Sequence, residues 1–123
     1  MKHFTEEKPV FLQVAEQVED AVLSGAFPEG SRLPSTTEVS AAYRINPATA
    51  LKGVSLLVEE GAAYKQRGIG MFVSPGAREK IRRKRKHAFF EAYVLPMAAE
   101  ARKLGLTREE ILAMTEKGYE HDD

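Results

Sequence analysis

The side chains in this 123-residue chain that could do chemistry fall into two groups. The first comprises the residues catalysis would use, and they do not converge. His3, His87 and His121 are scattered, with no spacing that suits a metal ion. There is no cysteine to supply a thiolate or a disulfide. The acidic pairs Glu59-Glu60 and Glu109-Glu110 are adjacent, so on a helix their carboxylates diverge by about 100°. Neither an enzyme nor a metal or cofactor site is expected. The second group lies between residues 31 and 73 and suits an anionic, hydrogen-bonding surface. Ser35, Thr36, Thr37, Asn46 and Thr49 carry short donors and acceptors, and Arg67 stands beside Gly68 where the chain must turn. Such groups hold phosphate oxygens and read base edges. Gly68-Ile69-Gly70 is not a nucleotide-binding loop, because no strand-loop-helix pattern surrounds it.

The elements that must position these residues follow from local signals. Val10, Val14, Val18, Ala21 and Val22 make the apolar stripe of a helix ending near Gly25. Arg32-Leu33 has room for only a very short strand. Ser35-Thr36-Thr37-Glu38 is a capping box that opens a helix of about two turns, burying Val39 and Ala42/Tyr43. After the tight connection Tyr43 to Pro47, Asn46 is the N-cap and Pro47 the first residue of another helix. That helix has Ala50, Val54, Leu57 and Val58 on its core face, Thr49, Lys52 and Ser55 on another, and one of Leu51 and Leu56 exposed. Gly53 inside it predicts the close approach of a second helix backbone. Residues 62–66 and 71–73 are predicted strands around a Gly-tipped turn. A helix, a tight turn, a second helix and a hairpin make a winged helix-turn-helix, which presents one helix to a DNA major groove.

The formal net charge is zero, but its distribution is uneven. Residues 1–30 carry −4, residues 31–87 carry +8 and residues 88–123 carry −4. Screening makes phosphate binding local, so the basic middle matters more than the total. The apolar runs are too short for the ~20 residues of a membrane helix, and the N-terminus lacks a signal-peptide core. A cytoplasmic protein is expected.

A break at Ser74-Pro75-Gly76 predicts two units, residues 1–75 and 76–123. In the second, Phe90, Tyr93, Met97, Ala101 and Leu104 form a helical stripe that Pro96 should kink or divide. Thr107-Arg108-Glu109-Glu110 is a second capping box, opening a helix with Leu112, Thr115 and Tyr119 on one side and Ile111 and Met114 beside them. Two helices with so large an apolar face cannot close a core alone, so self-association through Phe90, Tyr93, Met97, Ala101 and Leu104 is expected. The fold class expected is mainly α with a small β-hairpin wing, a winged helix-turn-helix domain followed by a two-helix dimerisation tail.

Residues 9–73 resemble the DNA-binding domain of the GntR family of bacterial transcriptional regulators. The matching segments are Pro9 to Gln17, Gly30 to Ser35, Asn46 to Thr49, Glu59 to Gly61 and Arg67 to Val73, in order and at the family's spacing. The short tail, with Ala101 to Ile111 near its end, resembles the YtrA-type subfamily, which implies helical dimerisation in place of a large ligand-binding domain. The resemblance implies DNA contacts at Arg32, Ser35, Thr36, Thr37, Asn46, Pro47, Ala48, Thr49, Lys52, Arg67 and Gly68. In this picture Asn46 to Thr49 enter the major groove, Lys52 holds a phosphate, and Arg67 and Gly68 reach the minor groove or its phosphates. Thr37 and Leu51 stand where many relatives carry Arg or another polar residue, and Ala48 offers only a thymine-methyl contact.

The expected function is a homodimeric regulator, a repressor, that binds double-stranded DNA at an inverted-repeat operator. Direct sensing of a small-molecule effector near Phe90, Tyr93 and Met97 is a further possibility that names no ligand chemistry. The alternative is a winged-helix module that docks a protein without sequence-specific DNA readout; it requires an apolar exposed face around Leu51 and Leu56.

Overall fold

The computed structural model describes residues 4–121, and His3 lies outside them. The chain divides into two compact units, one running up to Arg83 and the other starting at Lys84. The division falls eight residues beyond the boundary expected at 75/76, inside a helix. The physical reason is packing: Ala77 and Ile81 are buried in the core of the first unit, so the Pro-Gly break before them ends the hairpin but not the domain.

Helix α1 (Val10–Ser24) ends at Gly25 in a left-handed conformation. It buries Val14, Ala15, Val18 and Val22, together with two polar residues, Gln13 and Glu19. The Gln13 amide is used fully: its Oε1 accepts from Thr5 N–H, and its Nε2 donates to the carbonyls of Thr5 and Lys8. It thereby ties the segment before the helix to the helix itself. Helix α2 (Thr36–Tyr43) and helix α3 (Pro47–Glu59) complete a three-helix core. In α2 Val39 is buried and Tyr43 half-buried, but Ala42 is exposed, contrary to expectation, because the short helix turns a single narrow stripe inward. Tyr43 instead meets Phe4, with ring centroids 5.3 Å apart.

Strands β1 (Ala63–Gln66) and β2 (Gly70–Val73) pair antiparallel, with Tyr64 opposite and stacked on Phe72. The chain before α2 adds a single antiparallel bridge to β2: Arg32 bridges Phe72, Leu33 N–H donates to the Met71 carbonyl and Val73 N–H to that of Ser31. The wing is therefore fastened along β2 to the segment that leads into α2. Helix α4 (Ala77–Phe89) begins under a remote cap, since Glu29 accepts from the N–H groups of Gly76 (2.8 Å) and Arg78 (3.2 Å).

In the second unit a π-helical turn, Phe90–Val94, separates α4 from helix α5 (Leu95–Leu104). Pro96 accounts for it. Proline has no N–H for the preceding turn and its ring needs room there; the wider turn absorbs both demands, with Leu95 N–H bonded to the Phe90 carbonyl. Gly105 closes α5 in a left-handed conformation, and helix α6 (Arg108–Glu120) opens on the expected capping box between Thr107 and Glu110.

Candidate nucleic-acid interface

The interface builds from the starts of α2 and α3. Ser35 N–H donates to Glu38 Oε1 (2.9 Å) and Glu38 N–H to Ser35 Oγ (3.1 Å), so the expected capping box is present. The Ser35 backbone N–H, and then the Ser35 hydroxyl, hold the Glu38 carboxyl below its ordinary value, with a smaller contribution from the Arg32 charge. Ser35 and Thr36 are half-buried and Thr37 is exposed. At the next helix Asn46 Oδ1 accepts from Ala48 N–H (2.7 Å), which fixes Asn46 as the N-cap and leaves its amide N–H groups free of that bond.

Helix α3 is sided by its packing. Ala50, Gly53, Val54 and Leu57 are buried, which at 3.6 residues per turn turns Ala48, Lys52 and Ser55 outward. Asn46, Pro47, Ala48 and Lys52 are exposed, Thr49 and Leu56 are half-buried, and Leu51 is half-exposed. Gly53 is where α3 meets α1: a Cβ there would lie 2.8 Å from the Phe11 carbonyl oxygen and 2.9 Å from Val14 Cβ. The Lys52 ammonium sits 4.1 Å from the centroid of the Phe11 ring, a cation-π contact that steadies this cation beside α1.

At the wing, Ile69 N–H closes a turn onto the Gln66 carbonyl, and Gly68 takes a φ of 80°. Arg67, Gly68 and Ile69 form an exposed tip, and exposed Lys65 on β1 adds a cation that the sequence reading did not single out. Strand alternation beside a Gly-tipped turn was the signal for it. Arg32 is brought to the wing as well: a Cβ on Gly70 would lie 2.9 Å from Arg32 Nε, so glycine at that point makes room for the guanidinium.

One residue of the helix-turn-helix went unremarked in the sequence. Arg44, in the turn between α2 and α3, adopts φ 54° and ψ 50°. This region costs a non-glycine residue about 1–2 kcal/mol.

In the tail, Phe90, Tyr93, Met97 and Leu104 are exposed, whereas Ala101 is buried within the unit. Ala101 lines an apolar groove of about 450 Å³ with Met97, Leu106, Ile111 and Leu112. Phe89 and Tyr93 touch at 5.3 Å between centroids, and His87 Nε2 lies 2.6 Å from Glu91 Oε1. Among the described residues no cluster of ligating side chains could hold a metal, and no helix is long and apolar enough to cross a membrane.

Comparison with known proteins agrees with the geometry. The profile of bacterial regulatory proteins of the gntR family matches residues 11–73. The HTH-type transcriptional regulator YhcF of Bacillus subtilis is 30% identical over 111 residues, covering 89% of this chain and 88% of that protein. The HTH-type transcriptional repressor YtrA of the same organism is 30% identical over 73 residues, 59% of this chain and 56% of its own length. Among solved structures, a regulator assigned to the GntR family in Bacteroides thetaiotaomicron superposes with a TM-score of 0.79 at 30% identity, over 90% of this chain and 96% of that one.

Proposed function

The chain belongs to the GntR family and is a DNA-binding transcriptional regulator, and from that premise we propose that it acts in the cytoplasm as a homodimeric repressor reading the two halves of an inverted-repeat operator. The observation that carries the proposal is the exposed first turn of α3. Asn46, Pro47 and Ala48 are exposed at its head, within a segment, residues 31–87, that carries +8, and the Arg67-Gly68 tip of the wing is exposed as well. We assign the DNA contacts to Arg32, Ser35, Thr36, Thr37, Asn46, Pro47, Ala48, Thr49, Lys52, Arg67 and Gly68, with α3 in the major groove. Charged side chains are few on the α3 face, so phosphates supply most of the affinity and each half-site contributes modest discrimination. A two-fold arrangement of readers supplies the remainder. The repressor assignment draws on the likeness to YtrA.

The exposed apolar residues of the tail, Phe90, Tyr93, Met97 and Leu104, are assigned to the contact between copies. The region of Phe90, Tyr93 and Met97 is where an effector would lodge, and of these Met97 also lines the groove at Ala101. The protein-docking alternative needs an apolar α3 face, and Leu51 stands there without support, because Leu56 packs against the core.

Genomic fragments retained by the full-length protein, followed by footprinting, test the proposal. The expected result is two protected half-sites related by a dyad, with binding that falls steeply as salt rises. Protection of a single half-site, or affinity that salt leaves unchanged, would overturn it.

A further inference from the structure

We propose that Arg44 is an additional DNA-contacting residue of this regulator, placing its guanidinium on a backbone phosphate beside the groove that α3 enters. The inference rests on the DNA-binding reading above and extends it to a position which that reading did not assign.

Three observations carry it. First, eight described residues have positive φ; seven are glycine and the eighth is Arg44. Everywhere else the chain meets this backbone demand with the residue that meets it freely. Second, the turn does not need an arginine to hold its shape. Ile45 N–H and Arg44 N–H both donate to the Ser40 carbonyl, and Ser40 Oγ donates to the Ile45 carbonyl at 2.7 Å. The conformation is set by Ser40 and the backbone, so the side chain at 44 contributes nothing to it. Third, the guanidinium is unused among the described residues. Arg44 is exposed, and among the described residues its side chain has no hydrogen bond, ion pair or ring contact.

A long cation kept at a strained position, with no partner among the described residues, is explained by a partner outside the chain. Its location names the chemistry. Arg44 precedes the N-cap Asn46 by two residues, so their Cα atoms are at most about 7 Å apart. An arginine side chain spans a similar distance. The guanidinium can therefore reach a phosphate next to the bases that Asn46 to Thr49 approach, where a planar fork of N–H donors binds two oxygens at once. A phosphate contact carries no sequence information, so the contribution belongs to affinity and register.

The test uses full-length protein and a short fluorescein-labelled duplex of random sequence, titrated over a series of salt concentrations. Arg44→Gln should bind about three- to tenfold more weakly at low salt, and its plot of log affinity against log salt should flatten by about one unit, the loss of one phosphate contact. Arg44→Lys, which keeps the charge but loses the fork, should keep the parent's salt slope and bind with an affinity between those of the parent and Arg44→Gln. Arg44→Gly should lose affinity like Arg44→Gln while its thermal midpoint holds or rises, since glycine relieves the positive φ. That opposite movement of affinity and stability separates a DNA contact from a structural role. An unchanged salt slope in Arg44→Gln, with normal binding by the parent protein, would overturn the Arg44 assignment alone. A lowered midpoint in Arg44→Gly would overturn it in favour of a structural role. Failure of the parent protein to bind the duplex would overturn the DNA-binding reading and the inference together.

Discussion

Gly53 shows how one missing methyl group decides a helix interface. In an isolated helix, alanine would be preferred to glycine by roughly 1 kcal/mol. Here the added Cβ would meet the Phe11 carbonyl oxygen at 2.8 Å, and a backbone atom cannot rotate aside. Overpacking of this kind costs about 1–3 kcal/mol, so the steric term wins. Gly53→Ala should lower the stability of the protein by about 1–2 kcal/mol in urea denaturation, and a stabilised variant would contradict the close approach. The purpose of Gly53 was legible in the sequence, since a glycine amid an apolar helical stripe needs a packing reason. The left-handed Arg44 was not legible, because an arginine in a turn gives no local sign of the backbone region it occupies; only the φ angle shows it.

At the scale of elements, the signals that passed from sequence to structure are local ones, helix caps whose donors and acceptors lie within four residues and a hairpin whose strands are joined by a short Gly-tipped turn. Both capping boxes and the Asn-Pro start of α3 are of this kind. The cap of α4 is different: its acceptor is Glu29, 47 residues before the Gly76 N–H it receives, and a separation of that length has no signature in a single sequence. The Gly76 N–H, then that of Arg78, holds the Glu29 carboxyl below its ordinary value of 4.5. A carboxyl lowered in the folded state contributes stability that is fully present above its unfolded value and is lost as pH falls through the folded value. Glu29→Gln should therefore be less stable than the parent near neutral pH, and the gap should close as the pH drops below about 4.5. Urea midpoints measured across that window check this; a gap that persists in acid would remove the carboxylate from the account. Pro96 lies between these cases. The sequence predicts an interruption, but whether a helix answers by kinking, stopping or widening depends on how the neighbouring carbonyls find donors, and here the answer is a π-helical turn.

At the scale of the whole molecule, a neutral chain carries a basic middle between acidic ends, and its two units differ in what they leave exposed. The first unit closes its own core around α1, α3 and the hairpin. The tail leaves Phe90, Tyr93, Met97, Leu104 and Leu112 exposed. The sequence pattern put Phe90, Tyr93, Met97 and Leu104 on one stripe with Ala101, while the burial of Ala101 within the tail depended on how α5 and α6 meet, which periodicity does not encode. Leu104→Glu and Tyr93→Glu should each convert the proposed dimer to a monomer in sedimentation velocity and weaken retention of operator fragments by about tenfold or more. A variant that stays dimeric would move the contact elsewhere in the tail. The fit of Gly53 against α1 bears on control as well. With the Phe11 carbonyl and Val14 filling the place of a side chain at 53, α3 lies in close contact with the backbone of α1. If that contact holds α3 still and two copies share one operator, an incoming signal acts on the distance and angle between the reading heads, as calipers are set without bending their points.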